Sequence, residues 1–187
     1  MTIEDHPDVT EEDPTERALR ELFGPVELAT APETTDRPDE IAMARKALAP
    51  IKASLEAAGF YAYGTFDDQH RWVIAADDEA GRVDVRVGDD GYHVELWASS
   101  PGLFVDEENE FRRRAHERLA RMTLPRITQG MLASHQSAEW DEVDQGVAVR
   151  LRYEVPFARA EEIGELVRGH LPELDELLGF VESRVVS

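Results

Sequence analysis

The chain of 187 residues contains no cysteine, which excludes disulfides and thiolate metal sites. Lysine is almost missing as well: Lys46 and Lys52 stand against 18 arginines. That bias looks like GC-rich coding and bears on source more than on mechanism. No stretch of about 18 apolar residues occurs, so no membrane span is expected. The opening residues, MTIEDHPDVTEEDPTE, carry no charged-then-apolar leader, and a cytoplasmic address is the simplest expectation. Internal repeats are also absent.

Motifs that would announce chemistry are scarce. The six histidines (His6, His70, His93, His116, His135 and His170) are scattered, with no pair three or four apart. No EF-hand loop, nucleophile elbow, phosphate loop or dinucleotide fingerprint occurs. Ser134-His135-Gln136-Ser137 sets hydroxyls beside a histidine, but adjacency in sequence is not triad geometry, and a polar loop is the preferred reading. Acidic residues are so many that chance pairs of carboxylates carry no information. No metal, no cofactor and no enzymatic activity are therefore expected.

What is abundant is negative charge. Forty acidic residues against twenty basic ones leave a formal net charge of -20. Such a field repels nucleic-acid backbones, so no nucleic-acid partner is expected. It favours basic partners, or it is only a solvated surface from a salt-adapted proteome.

Residues 1–37 read as an acidic extension. Asp13-Pro14-Thr15-Glu16 is a helix start, and Ala18, Leu19, Leu22 and Phe23 give a short helix over about 14–23 before Gly24-Pro25. Residues 38–187 form the domain. Ile41, Ala44, Leu48, Ile51, Leu55 and Ala58 recur at helical spacing and stop at Gly59, with Pro50 kinking or dividing the helix. Strand-like runs follow at 60–66, 71–76, 82–87 and 92–98, joined by loops short enough to force antiparallel neighbours. A second helix is predicted over 106–122. Asp106 would cap it, Phe111, Ala115, Leu119 and Met122 would form its apolar stripe, and Pro125 would close it. Strands at 127–133 and 147–155, with Trp140 near the turn between them, precede a last helix from about 159. That helix is marked by Ile163, Leu166, Val167, Leu171, Leu174, Leu178 and Val181, with Pro172 as a kink or a fresh start. The order predicts an α+β fold: an antiparallel sheet with helices packed on one face.

Alternation assigns the two faces of that sheet. Val83, Val85, Val87, Tyr92, Val94, Leu96, Val147, Val149, Leu151, Tyr153 and Val155 belong to the core side. Asp84, Arg86, His93, Glu95, Trp97, Arg150, Arg152 and Glu154 belong to the other. Trp97, His93, Arg86, Arg150 and Arg152 are thus candidates for contact with a protein or peptide partner, because a tryptophan among polar groups is a common binding anchor. The competing reading covers Trp97 with a helix, the extension or a second subunit, and turns the charges into cross-strand pairs with Asp84, Glu95 and Glu154. The second helix gathers Arg112, Arg113, Arg114, Arg118 and Arg121, with Arg126 beyond it. Arg113, Arg114 and Arg118 are candidates for an anion site or a subunit contact. The simpler reading pairs Glu108, Glu110 and Glu117 with the arginines four residues on.

The helix ending LEAAGF (residues 55–60), the strand with Trp72 and its hairpins, the Arg-rich helix and RLRYEVPF (residues 150–157) leading into the Leu-rich last helix resemble the YbjN family and the related type III secretion chaperones. The resemblance spans residues 40–182 and rests on apolar patterns. It implies a small, acidic, frequently dimeric, non-catalytic module that binds an extended client segment along sheet and helix surfaces. The acidic extension and a fourth strand before the second helix depart from that group. The alternative function is an anion- or small-ligand-sensing domain built on the Arg-rich helix, or an enzyme built on acidic residues.

Overall fold

A computed structural model describes residues 38–186; the short helix expected over 14–23 lies outside them. In chain order the elements are α1 (Pro38–Ala57), β1 (Ala62–Phe66), β2 (Trp72–Asp78), β3 (Gly81–Val87), β4 (Gly91–Ser100), α2 (Glu110–Met131), β5 (Gln136–Asp141), β6 (Gly146–Pro156), a 3-10 segment (Phe157–Glu162) and α3 (Ile163–Val186). The fold is α+β. Six antiparallel strands lie in the order β1-β2-β3-β4-β6-β5.

The four-strand meander follows from turn chemistry. Asp67 Oδ1 accepts the backbone N–H groups of Gln69 and Arg71, which holds His70 at φ 58°. Asp78 Oδ1 does the same for Ala80, and Gly88 N–H closes on Gly91 at 2.8 Å. Asp-rich turns of this kind replace the missing ladder bonds with their own side chains. The core face matches the alternation: Val83, Val85, Val94, Leu96, Val147, Val149 and Leu151 are buried. Against them pack Leu48, Ile51 and Leu55 of α1 and Ile163, Val167, Leu171, Leu174 and Val181 of α3.

Neither Pro50 nor Pro172 divides its helix. Both lie on the exposed side, where the carbonyl left without an N–H faces water. Gly59, at φ 93°, ends α1, and Phe60 N–H returns to the Leu55 carbonyl. Arg168 of α3 donates to the Ala58 carbonyl, so α3 also satisfies an end group of α1.

The second helix departs from expectation in three ways. It starts at Glu110, capped by Asn109 through Arg112 N–H at 3.1 Å, and Asp106 is not the cap. It passes through Pro125 and ends at Met131, so the strand expected at 127–133 is helix and the strand is β5 instead. Leu124 and Ile127 carry its buried line past the proline, and that burial outweighs one missing bond on the exposed side. β5 reads weakly, as QSAEWD, because it is shaped by its neighbours. It pairs with β6, and on its outer side Thr128 Oγ1 both accepts from Ala138 N–H and donates to the Ala138 carbonyl. α2 thereby closes one edge of the sheet.

The third departure concerns which side of α2 faces inward. Ala120, Leu124 and Ile127 are buried, whereas Phe111, Leu119 and Met122 are 84%, 55% and 61% exposed. The inner side is fixed by an aromatic cluster at β5: Phe104 stacks on Trp140 at 6.2 Å and meets His116 at 5.4 Å, and the Arg121 guanidinium lies 5.0 Å over Trp140. Arg121 is locked there by two bonds to Glu142, at 2.8 and 2.7 Å.

Candidate functional site

The sheet face opposite α1 and α3 is a broad depression of about 1000 Å³, with Trp97, His93, Arg86, Arg150, Arg152 and Arg71 among its walls. The register gathers the sequence candidates into neighbouring rows. Arg86 stands opposite His93, and His93 opposite Glu154. Asp84, Glu95 and Arg152 form the next row; Arg82, Trp97 and Arg150 the one after. Val73, Ala75 and Ala148 are buried between these longer side chains.

Most charges in these rows are already paired with each other. Glu95 accepts from Arg150 Nη1 at 2.6 Å and Arg152 Nε at 2.7 Å. Arg150 also reaches Glu139 at 2.6 Å. Burial alone would raise the Glu95 carboxyl, but the bonds from Arg152 and Arg150 outweigh it and hold the group below its usual range. Asp84 takes Arg82 at 3.0 Å with one oxygen and the Trp97 indole N–H at 3.1 Å with the other. Trp97 is half-buried, on the face opposite the one that α1 and α3 cover. His93 Nδ1 lies 3.6 Å from Glu154. Arg86 alone among these arginines forms no hydrogen bond or ion pair with the described residues. Burial pulls its guanidinium below the ordinary range, and Arg71 and Arg152 act the same way.

The Arg-rich helix does not form one cluster. Arg114 bonds Glu110 at 2.5 Å, and Arg113 and Arg121 each lie 4.0 Å from Glu117. Glu108 and Arg112 do not pair; Asn109 takes Arg112 N–H instead. Arg113 is half-buried beside Glu117, whereas Arg114 and Arg118 are exposed. Arg112, Arg118 and Arg126 have no ion pair among the described residues. The outer side of α2 thus carries Phe111, Ala115, Leu119 and Met122 with Arg118 and Arg126 between and beside them, opposite the buried line.

One polar network was not singled out by sequence reasoning. Glu173 of α3 is bonded to His135 Nε2 at 2.9 Å and Gln136 Nε2 at 2.8 Å through one oxygen. Its other oxygen meets His170 Nδ1 at 2.8 Å and the Tyr153 hydroxyl at 3.1 Å. Burial would raise the Glu173 carboxyl, but these four bonds bring it down to about 2. An ionised carboxylate only accepts, so His135 carries its proton on Nε2 and His170 on Nδ1. His135 and His170 are 35 residues apart, beyond any spacing motif, and only the docking of α3 on β6 joins them.

Among the described residues, no group of three or more His, Asp or Glu side chains could hold a metal ion, and no helix is long and apolar enough to cross a membrane. No protein-family model, curated protein or solved structure matches the chain.

Proposed function

We propose that this chain is a non-catalytic protein-binding module, chaperone- or adaptor-like in the manner of the YbjN and secretion-chaperone group, and that it acts in the cytoplasm. Its docking surface is the outer side of α2, and its partner there is an acidic amphipathic helix. The observation that carries the reading is the exposed stripe of Phe111, Ala115, Leu119 and Met122. Apolar side chains at helical spacing on the solvent side match the way one helix lays its apolar face against another.

Charge selects the partner. α2 holds six arginines against Glu110 and Glu117, in a chain whose net charge is -20. Arg112, Arg118 and Arg126 have no counter-ion among the described residues. A second α2 across a two-fold axis would set these cations against each other, whereas a helix with acidic flanks complements them. The sheet face offers less to a protein: Arg150, Arg152, Arg82 and Trp97 are bonded to Glu95, Glu139 and Asp84, and a partner would have to break those bonds.

The reading is tested with the full chain and a fluorescent, helix-forming acidic amphipathic peptide, alongside its Lys-for-Glu counterpart. Saturable anisotropy change is expected for the acidic peptide only, lost in Phe111→Asp/Met122→Asp and weakened at least tenfold in Arg118→Glu/Arg126→Glu. Equal binding by the variants, or preference for the basic peptide, overturns the reading. So does a dimer in sedimentation that the Phe111→Asp/Met122→Asp protein no longer forms, since a second copy would then be the occupant.

A further inference from the structure

We propose that Arg86 is the centre of a carboxylate-binding site on the open sheet face, separate from the α2 surface. Every other arginine lining the depression has its counter-ion in place: Arg71 on Asp67 at 2.6 Å, Arg82 on Asp84 at 3.0 Å, Arg150 on Glu95 and Glu139 at 2.6 Å each, and Arg152 on Glu95 at 2.7 Å. Among the described residues Arg86 has none, although it is half-buried. Burying a charge without a partner is costly, and this one is held on a rigid central strand between β2 and β4. The cost is removed when an anion from outside completes the row.

The surroundings define which anion. Val73 is buried beneath this corner of the depression, and His93 stands directly across the strand pair from Arg86. His93 is packed on the β3–β4 turn, since a Cβ at Gly88 would come within 2.2 Å of its Nε2. The flat fork of a guanidinium matches a carboxylate in two parallel bonds. Nearby charge favours a carboxylate over a phosphate. Arg71 and Arg152 are each matched by an acid, and Glu154 lies beside His93 at 3.6 Å. The unbonded guanidinium thus has Asp67, Glu95 and Glu154 around it, and a dianionic phosphate would meet more repulsion from them than a singly charged carboxylate. A ligand held this way would run along the face toward Trp97, four residues from His93 on the same strand, or about 13 Å.

The test follows arginine Nε–Hε and histidine ring signals of the full chain by NMR. Sodium acetate, N-acetyl-glutamate methylamide and inorganic phosphate are titrated at ionic strength matched with sodium chloride. Saturable shifts at Arg86 and the His93 ring are expected with both carboxylates, with a phosphate midpoint at least tenfold weaker. A tighter midpoint for the capped glutamate assigns a peptide side chain as the source, and equal midpoints assign a free carboxylate. Arg86→Gln should weaken the carboxylate response at His93 at least tenfold. Arg86→Lys, which keeps the charge and the fold but loses the fork, should weaken it severalfold. Shifts linear in concentration, equal shifts with chloride, tighter binding of phosphate, or an unchanged midpoint in Arg86→Lys overturns the proposal. None of these outcomes depends on whether α2 binds an acidic helix.

Discussion

The Tyr153 hydroxyl on β6 and the Glu173 carboxylate on α3 lie 3.1 Å apart, and the same carboxylate is bonded to His135, Gln136 and His170. Glu173 is therefore the point at which α3, β6 and the start of β5 are fastened together. Its folded-state value of about 2 is below the roughly 4.3 of an unfolded glutamate. The folded protein thus favours the ionised form, and the stabilisation is complete above the unfolded value. It is lost as pH falls from there toward 2. Glu173→Gln should lower stability by about 1–3 kcal/mol at pH 7, because it turns a donor toward donors. Urea melts at pH 7, 5 and 3 should show the gap between the two proteins narrowing at pH 3. A gap constant with pH would mean that the charge does not hold the network.

Glycines in α3 divide into one that must be glycine and two that need not be. A Cβ at Gly164 would sit 2.2 Å from the Ser54 carbonyl oxygen and 2.8 Å from Ala58 Cβ, whereas nothing lies within 4 Å of one at Gly169 or Gly179. Gly164 N–H also donates to Ser54 Oγ at 3.0 Å. Gly164→Ala should therefore push α1 and α3 apart and cost about 1–3 kcal/mol or more. Gly169→Ala and Gly179→Ala should each stabilise by about 0.5–1 kcal/mol through the lost freedom of the unfolded chain. Denaturation midpoints of the three variants check both signs together.

The sheet was legible in the sequence because its two faces differ residue by residue. Val83, Val85 and Leu96 against Asp84, Arg86 and Trp97 leave one arrangement that keeps the aliphatic side dry, and Asp67, Asp78 and Gly88 mark the turns. α2 was misread for a reason of the same kind. Phe111, Ala115, Leu119 and Met122 make a more conspicuous apolar line than Ala120, Leu124 and Ile127, so periodicity alone assigns the wrong side to the core. Periodicity shows that a stripe exists but not which neighbour covers it. β5 was missed because QSAEWD has little intrinsic strand preference and owes its form to β6 and Thr128. The Arg86, Arg150 and Arg152 face was placed correctly by alternation, but which arginine lacks a counter-ion depends on Glu95, which takes two of them.

The two lines of α2 make opposite predictions for stability. Leu124 is 1% exposed and Phe111 84%. Leu124→Ala removes buried methyl groups and should cost about 2–5 kcal/mol. Phe111→Ala, although it deletes a larger side chain, should change stability by no more than about 0.5 kcal/mol. Thermal or urea unfolding of the isolated full chain measures both. A large loss for Phe111→Ala would mean that the stripe is covered within the monomer, and the α2 docking surface would be withdrawn.

Trp97 separates the two proposed surfaces. Its indole N–H reaches Asp84 Oδ2 at 3.1 Å while Arg82 holds Oδ1 at 3.0 Å, so the ring is fixed by a residue that an arginine fixes in turn. Asp84→Ala should leave the indole N–H and Arg82 both without a partner. It should cost about 1–2 kcal/mol and shift the tryptophan emission, because the ring gains freedom on the open face. Trp97→Ala should likewise alter the depression but leave binding of the acidic peptide within twofold of the unsubstituted chain, since α2 lies beyond β5 at the sheet edge. If Trp97→Ala abolishes that binding while Phe111→Asp/Met122→Asp does not, the client lies on the sheet face, the surface that alternation alone first marked out, and the stripe on α2 serves another purpose.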